Sequence, residues 1–319
     1  MVISASRKTD IPAFYGDWLL NRLEEGYCVM RNSYSRRPKR VSLAREDVDA
    51  FVFWTKNPKP FLPALSEIAR RRFPFYLHVT VTGYGQPMER SVASWESVVD
   101  CCRRLVSDFG PRTVAWRYDP IVITEAMTPA WHAENFARLA DVFAGISDEV
   151  ATSFVEPYRK VRSNLDRLSA KTGVRWRDPA LDEKRDLVRR LSGLGAERGM
   201  LLRVCSQPEV AGGLPEGRCI DPVRLRDVGA SSFSSRSAPT RTGCNCIQSI
   251  DIGEYDTCPQ GCAYCYANRD RETAVRNLKE HSDTSESILC LGPSDPVTVN
   301  GQMHLFDRGS EPQTRGFTA

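Results

Sequence analysis

Three cysteines stand close together in the segment CPQGCAYCYAN, Cys258, Cys262 and Cys265, spaced C-x3-C-x2-C. Thiolates at this spacing converge on one point, and Gly261 between them lets the backbone bend tightly around whatever is bound. Three thiolates suit a four-iron cluster with one iron left free of protein ligands, whereas a closed structural site normally takes four protein ligands. A [4Fe-4S] centre is therefore the expectation for Cys258, Cys262 and Cys265, and zinc or another structural metal is the alternative.

The chain has 11 cysteines, and seven of them fall in one stretch of about sixty residues. Besides the three of the motif these are Cys205, Cys219, Cys244 and Cys246. Four thiols are the number for a closed zinc site or a second, fully ligated iron-sulfur cluster. The single residue between Cys244 and Cys246 is awkward for zinc, so an auxiliary site of three or four of these cysteines is expected, with iron-sulfur preferred. Buried, incidental thiols are the plain alternative. Cys28, Cys101, Cys102 and Cys290 sit in apolar patterns and read as core.

The elements that must position these thiols begin with a chain of 319 residues, 41% hydrophobic and 26% charged, long enough for a real core. It has no apolar run of the ~18 residues that a membrane-spanning helix needs and no apolar stretch of signal-peptide length at its start, so it reads as cytoplasmic with no membrane partner. With 44 basic and 40 acidic residues the net charge is +4, too weak a bias to argue for nucleic acid.

Before the cysteine-rich stretch a rhythm repeats: a short β-branched or aromatic run ending in polar residues, then an amphipathic stretch. The runs are residues 2–6, 50–55, 75–81, 113–123, 149–156 and 200–205. Helices are expected over residues 18–25, 61–72, 95–109, 128–144 and 181–197, the fourth opened by Thr128 as cap and Pro129 in the first turn. Alternation of this kind means α/β with parallel strands, and six units favour a partial parallel β/α barrel of TIM-like type. No G-x-G-x-x-G or G-x-x-x-x-G-K-[ST] loop follows a strand, which removes the usual nucleotide signatures. The expected organisation is a barrel over residues 1–213, a cysteine-rich metal-binding region over 214–300 that folds across the barrel mouth, and a flexible tail over 301–319.

Ligands collect at the carboxyl ends of parallel strands. Those ends carry Arg7, Thr9 and Asp10, then Lys56, then Thr80, Thr82 and Tyr84, then Arg117 and Asp119 in WRYDP, then Glu156. Arg117, Asp119 and Glu156 are the candidate catalytic residues, and Arg7 and Lys56 are candidates for holding a cofactor. Arg117 and Asp119 could equally satisfy each other as a structural ion pair. His78 could face the barrel interior, though a single buried imidazole is more often structural than catalytic; His132, His281 and His304 lie in polar contexts without a role. A working site needs a cavity on the order of 300 Å³ or more between the motif cysteines and Arg117 with Asp119.

The C-x3-C-x2-C spacing with an aromatic residue before its last cysteine resembles the cluster motif of the radical S-adenosylmethionine enzymes. The resemblance implies that Cys258, Cys262 and Cys265 hold the cluster, that S-adenosylmethionine chelates the open iron, and that Tyr264 neighbours the adenine. It implies a 5′-deoxyadenosyl radical that attacks a substrate and an electron donor such as a ferredoxin or flavodoxin. The chain departs from that pattern in two ways. Its motif follows all six strands instead of the first, and the glycine-rich motifs of the superfamily are missing. From SRKTDIPAFY through VFWTKNPKPF, LHVTVTGYG and WRYDPI to DIGEYDTCPQGCAYCYAN the chain also resembles an uncharacterised, mostly bacterial family of unknown function with such a cysteine cluster. WRYDPI is similar in style to the spore photoproduct lyase group, which makes a radical DNA or RNA repair or modification enzyme the second reading. For that reading the arginines of SRRPKR near Arg36 and ARRR near Arg70 are the candidate phosphate contacts. The third reading is a non-catalytic, metal-stabilised ligand-binding protein. The substrate, small molecule or nucleic acid, is not specified by the sequence.

Overall fold

The computed structural model describes residues 1–31 and 37–289, together with the backbone of 297–299 and 302–304. In chain order, β1 (Val2–Ala5) leads through a single turn, α1 (Ile11–Phe14), into α2 (Gly16–Glu25), the hairpin strands β2 (Tyr27–Arg31) and β3 (Pro38–Ser42), and β4 (Ala50–Thr55). Next come α3 (Leu62–Arg70), β5 (Phe75–Thr80), α4 (Trp95–Phe109), β6 (Val114–Arg117), β7 (Ile123–Thr124), α5 (Pro129–Phe143) and β8 (Glu149–Thr152). They are followed by α6 (Arg159–Thr172), β9 (Trp176–Arg177), α7 (Leu181–Ala196) and β10 (Leu201–Val204). The last third holds α8 (Pro208–Ala211), α9 (Pro222–Asp227), β11 (Ile250–Asp251), α10 (Arg271–Glu280) and the short β12 (Val297–Val299) and β13 (Gln302–His304).

The main sheet has seven strands in the order β10-β8-β6-β5-β4-β1-β11, and all its neighbours are parallel. Each strand of the repeat is laid beside its predecessor, so right-handed crossovers place the connecting helices on one face. Alternation sorts the side chains accordingly. Ile3, Phe51, Phe53, Leu77, Trp116, Val150 and Leu202 join Leu19, Leu65, Val99, Phe136 and Val188 in the large core under the helices. Val2, Ala50, Val52 and Tyr76 point the other way, where Ile220, Leu225 and Ile247 of the cysteine-rich stretch cover them.

All six expected runs are strands of this sheet. The fourth stops at Arg117, because Pro120 has no N–H to give to a ladder; residues beyond it form β7, which pairs antiparallel with β9. The expected helices are α2 to α5 and α7, and Thr128 does cap α5, accepting from the Trp131 amide at 3.2 Å. Among the elements outside the expected rhythm are the β2–β3 hairpin, α6, α10 and β11. The last of these brings the cysteine-rich stretch into the sheet beside β1.

Cys28, Cys101 and Cys102 are buried as expected. Cys290, Arg36 and the tail 301–319, apart from the backbone of 302–304, lie outside the described residues. His132, given no role above, is fully buried. Among the described residues no helix is long and apolar enough to cross a membrane.

Candidate functional site

Because the strands run parallel, Arg7, Lys56, Arg117, Asp119 and Glu156 all emerge at one edge of the sheet. Each of these charges finds its own partner. Arg117 Nη2 donates to Asp119 at 2.8 Å while its Nη1 lies 3.2 Å from Cys219 Sγ, and the Ser153 hydroxyl also donates to Asp119. The structural ion pair weighed above is therefore present. Glu156 stands apart from that pair and accepts from Gln207 Nε2 at 2.7 Å.

Asp251, at the end of β11, gathers Ser4 Oγ at 2.7 Å, Ser6 Oγ at 2.9 Å and the Arg7 amide at 2.9 Å, with the Arg7 guanidinium at 3.4 Å. Burial opposes its ionisation, but Lys8, Arg7 and these donors outweigh burial and hold the carboxyl below its ordinary range. Arg7 reaches both groups of cysteines. Its carbonyl accepts from the Tyr266 hydroxyl, one residue past Cys265, and its guanidinium lies within electrostatic reach of Cys219 and Cys246.

Lys56 Nζ pairs at 2.8 Å with Glu89 on the loop after β5, and both side chains are largely buried. Glu89 also accepts from Thr82 Oγ1 at 2.7 Å and from the Tyr264 hydroxyl. Burial would raise the Glu89 carboxyl, yet Lys56 and these hydrogen bonds hold it below its ordinary range. Asp10 differs. Its oxygens accept from the Lys56 amide at 2.9 Å and Gln260 Nε2 at 3.0 Å, but burial dominates and pushes its pKa up.

The motif loop is docked onto these residues. Cys262 forms an isolated antiparallel bridge with Glu89, Ala263 N–H donates to Met88 O at 2.9 Å, and the Ser91 amide donates to Gln260 O at 3.0 Å. Tyr15 Oη donates to Thr257 O at 2.7 Å from the opposite side. Cys258, Cys262 and Cys265 are half-buried and electrostatically coupled to one another; burial raises all three thiols, Cys262 to about 12. Tyr264 is buried, with Lys56 Nζ 5.6 Å from its ring centre and the Tyr84 ring edge-on at 6.1 Å.

Among the described residues, no three His, Cys, Asp or Glu side chains meet the geometry for holding one metal ion. That geometry is a single centre. The ligands of a four-iron cluster sit on separate irons and need not converge on one point. Three half-buried thiols on one bent loop, next to the cation of Lys56, match the donor set of such a cluster.

The second group of cysteines lies deeper, against the inner face of the sheet. Cys205 follows β10 and its sulfur is 3.5 Å from that of Cys219; Cys244 and Cys246 lie in the same buried cluster, with the Cys246 sulfur 3.4 Å from the amide of Ile220, next to Cys219. His78 is buried here, donating from Nε2 to Cys219 O at 2.7 Å and stacked on Trp54. Its Nδ1 has no partner, and burial together with Arg117 depresses its pKa, which keeps it neutral.

Neither of two shallow surface clefts lies at the expected cavity between the motif cysteines and Arg117 with Asp119. These clefts, of about 310 and 300 Å³, lie on the surfaces of α7 with Pro129 and of α10. Over the 119–122 segment Tyr84, Met88, Val122, Met127, Val155 and Tyr264 pack into an apolar cluster, with Cys262 and Ala263 against it. Glu89 and Asp251 are site residues that sequence reasoning passed over; nothing in a Gly- and Pro-rich loop announces the pairing of Glu89 with Lys56.

Fold and site together define a parallel α/β protein with a cysteine loop seated on the carboxyl edge of its sheet. The chain belongs to the family Domain of unknown function (DUF1848), whose model matches residues 2–267, a span that includes Cys258, Cys262 and Cys265. No curated protein matches it.

Proposed function

We propose that the protein is an iron-sulfur enzyme of the radical S-adenosylmethionine type. The observation that carries this reading is the seat of the motif loop: Cys258, Cys262 and Cys265 lie over the carboxyl ends of β1, β4 and β5, where a parallel sheet presents its ligands. The singly wound strand order is compatible with a partial barrel of TIM-like type. Cys258, Cys262 and Cys265 would hold a four-iron cluster, and with S-adenosylmethionine bound it would supply radical chemistry for hydrogen abstraction from a substrate.

The chain's own residues would do the rest. Lys56 offsets thiolate charge next to Cys262, and Glu89 fixes both Lys56 and Tyr264. Arg7 and Asp251 anchor β11, which delivers the motif loop to the sheet edge. Tyr84, Met88 and Tyr264 exclude water, and a substrate must displace that cluster or approach across the half-exposed thiols.

The nucleic-acid reading draws less support. Arg70 and Arg71 of the basic run are engaged by Glu67 at 2.6 Å each, and Arg71 also by Glu24. In the ligand-binding reading the cysteine loop would be a structural knot.

The test is anaerobic purification and reconstitution with iron and sulfide. About four iron and four sulfide per chain are expected. Reductant and S-adenosylmethionine should then yield 5′-deoxyadenosine, and replacing Cys258, Cys262 and Cys265 together with alanine should abolish both. Iron content unchanged in the triple variant, or a cluster with no 5′-deoxyadenosine, would overturn the reading.

A further inference from the structure

We propose that Cys205, Cys219, Cys244 and Cys246 form a second site, a closed four-thiolate centre for one thiophilic divalent ion of the zinc class. The proposal does not depend on the function of the motif loop. Four bonds of about 2.3 Å in a tetrahedron place ligand sulfurs roughly 3.8 Å apart. The Cys205 and Cys219 sulfurs already stand 3.5 Å apart, and Cys246 and Cys244 are buried in the same cluster, Cys246 accepting from the amide that follows Cys219. Ligands of a four-iron cluster, on separate irons, stand farther apart. The close contact therefore favours a single ion over a second four-iron cluster.

Two further features make this a thiolate site instead of four core thiols. All four side chains are buried, yet each sulfur has a polar hydrogen-bonding partner from outside the set. Cys205 has Ser206 Oγ at 3.7 Å, Cys219 has Arg117 Nη1 at 3.2 Å, Cys244 has Thr240 Oγ1 at 3.6 Å and Cys246 has the Ile220 amide at 3.4 Å. Neutral buried thiols are weak acceptors and have no need of such a shell; metal-bound thiolates do. The surrounding charge is also cationic. Arg7, Arg117 and Arg241 face the cysteines, against Asp119 and Asp251, leaving an excess of positive charge to balance thiolates.

The four sulfurs do not surround one point in this structure, and their side chains must rotate toward one another when the ion binds. Each thiol that becomes a ligand releases its proton to solvent. The ion would staple three segments, after β10, before α9 and before β11, in a stretch whose only helices are the short α8 and α9.

The experiment compares metal content of full-length protein in three forms: wild type, the Cys258/Cys262/Cys265 triple alanine variant, and Cys244→Ser with Cys246→Ser. About one zinc per chain is expected in the first two, falling at least tenfold in the third, while the iron of the motif loop is kept in the first and third and lost in the second. In case the serine variant fails to fold, cobalt(II) is added to metal-stripped triple variant. The absorption of tetrahedral thiolate coordination is expected, with Cys205, Cys219, Cys244 and Cys246 protected from alkylation. Zinc absent from the wild type together with no cobalt-dependent protection overturns the proposal, as does iron with sulfide at these four cysteines in the triple variant.

Discussion

The hydroxyl of Tyr264 donates to the carboxylate of Glu89, so a residue between two motif cysteines is tied to the loop that follows β5. The same carboxylate holds Lys56, and the three side chains form one buried network. Removing one partner leaves the other charge without compensation in a poorly solvated place. Glu89→Ala should therefore cost about 3 kcal/mol, and replacing Lys56 by Met and Glu89 by Leu together should recover most of that loss. Urea unfolding at constant slope measures both. A Glu89→Ala midpoint equal to wild type would show that the pair does not form.

His132 gives the pH dependence a definite sign. Val122 O, 3.0 Å from Nε2, can only accept, so Nε2 carries the proton and Nδ1 accepts from Tyr118 Oη at 2.9 Å. Tyr118 Oη in turn accepts from Asn135 Nδ2 at 3.0 Å. Protonating Nδ1 would break this chain inside the core, and burial lowers the pKa from 6.5 to about 4. The folded value lies below the unfolded one, so the unfolded chain takes up the proton first. Stability is then full above about pH 6.5 and declines by about 3 kcal/mol as the pH falls toward 4. His281, also depressed by burial, adds a contribution of the same sign. In His132→Gln the decline should shrink, and NMR titration of the wild type should find the imidazole neutral at pH 5. A His132 that titrates near 6.5 would remove this account.

The repeat was readable because each buried parallel strand is a compact run such as Ala50–Thr55, bounded by turn residues. Closure was not, since a curled sheet and a flat one can share the same singly wound strand order. α6 escaped because only Val161 and Leu165 of its residues are buried, too thin a stripe to mark a helix. β11 escaped because two residues carry no period, although Asp251 in it organises the first strand end. Spacing identified the three motif cysteines as a group, whereas the contact between Cys205 and Cys219 depends on where two separate segments cross the sheet.

Gly253 shows how tightly the motif segment is laid against β1. Its amide donates to Asp251 at 3.1 Å and its carbonyl accepts from Lys8 Nζ at 3.0 Å. A Cβ here would stand 1.9 Å from Ser6 Oγ, 2.5 Å from Ser6 Cβ and 3.2 Å from Thr9 Cγ2. The backbone is not in the left-handed region, so the obstacle is space alone. Ser6 cannot move freely, because its hydroxyl donates to Asp251 at 2.9 Å and accepts from the Lys8 amide at 2.9 Å. Gly253→Ala must therefore displace Ser6 and strip Asp251 of a donor, at a cost of about 1–3 kcal/mol for the overlap, with the hydrogen bonds in addition. Ser6→Gly removes the atoms in the way. Although that change is destabilising by itself, the double variant should be more stable than Gly253→Ala alone, a reversal of sign that independent sites would not give. Thermal unfolding of the four proteins decides it. If Ser6→Gly makes Gly253→Ala worse, the close approach of residue 253 to Ser6 is not what limits that position to glycine.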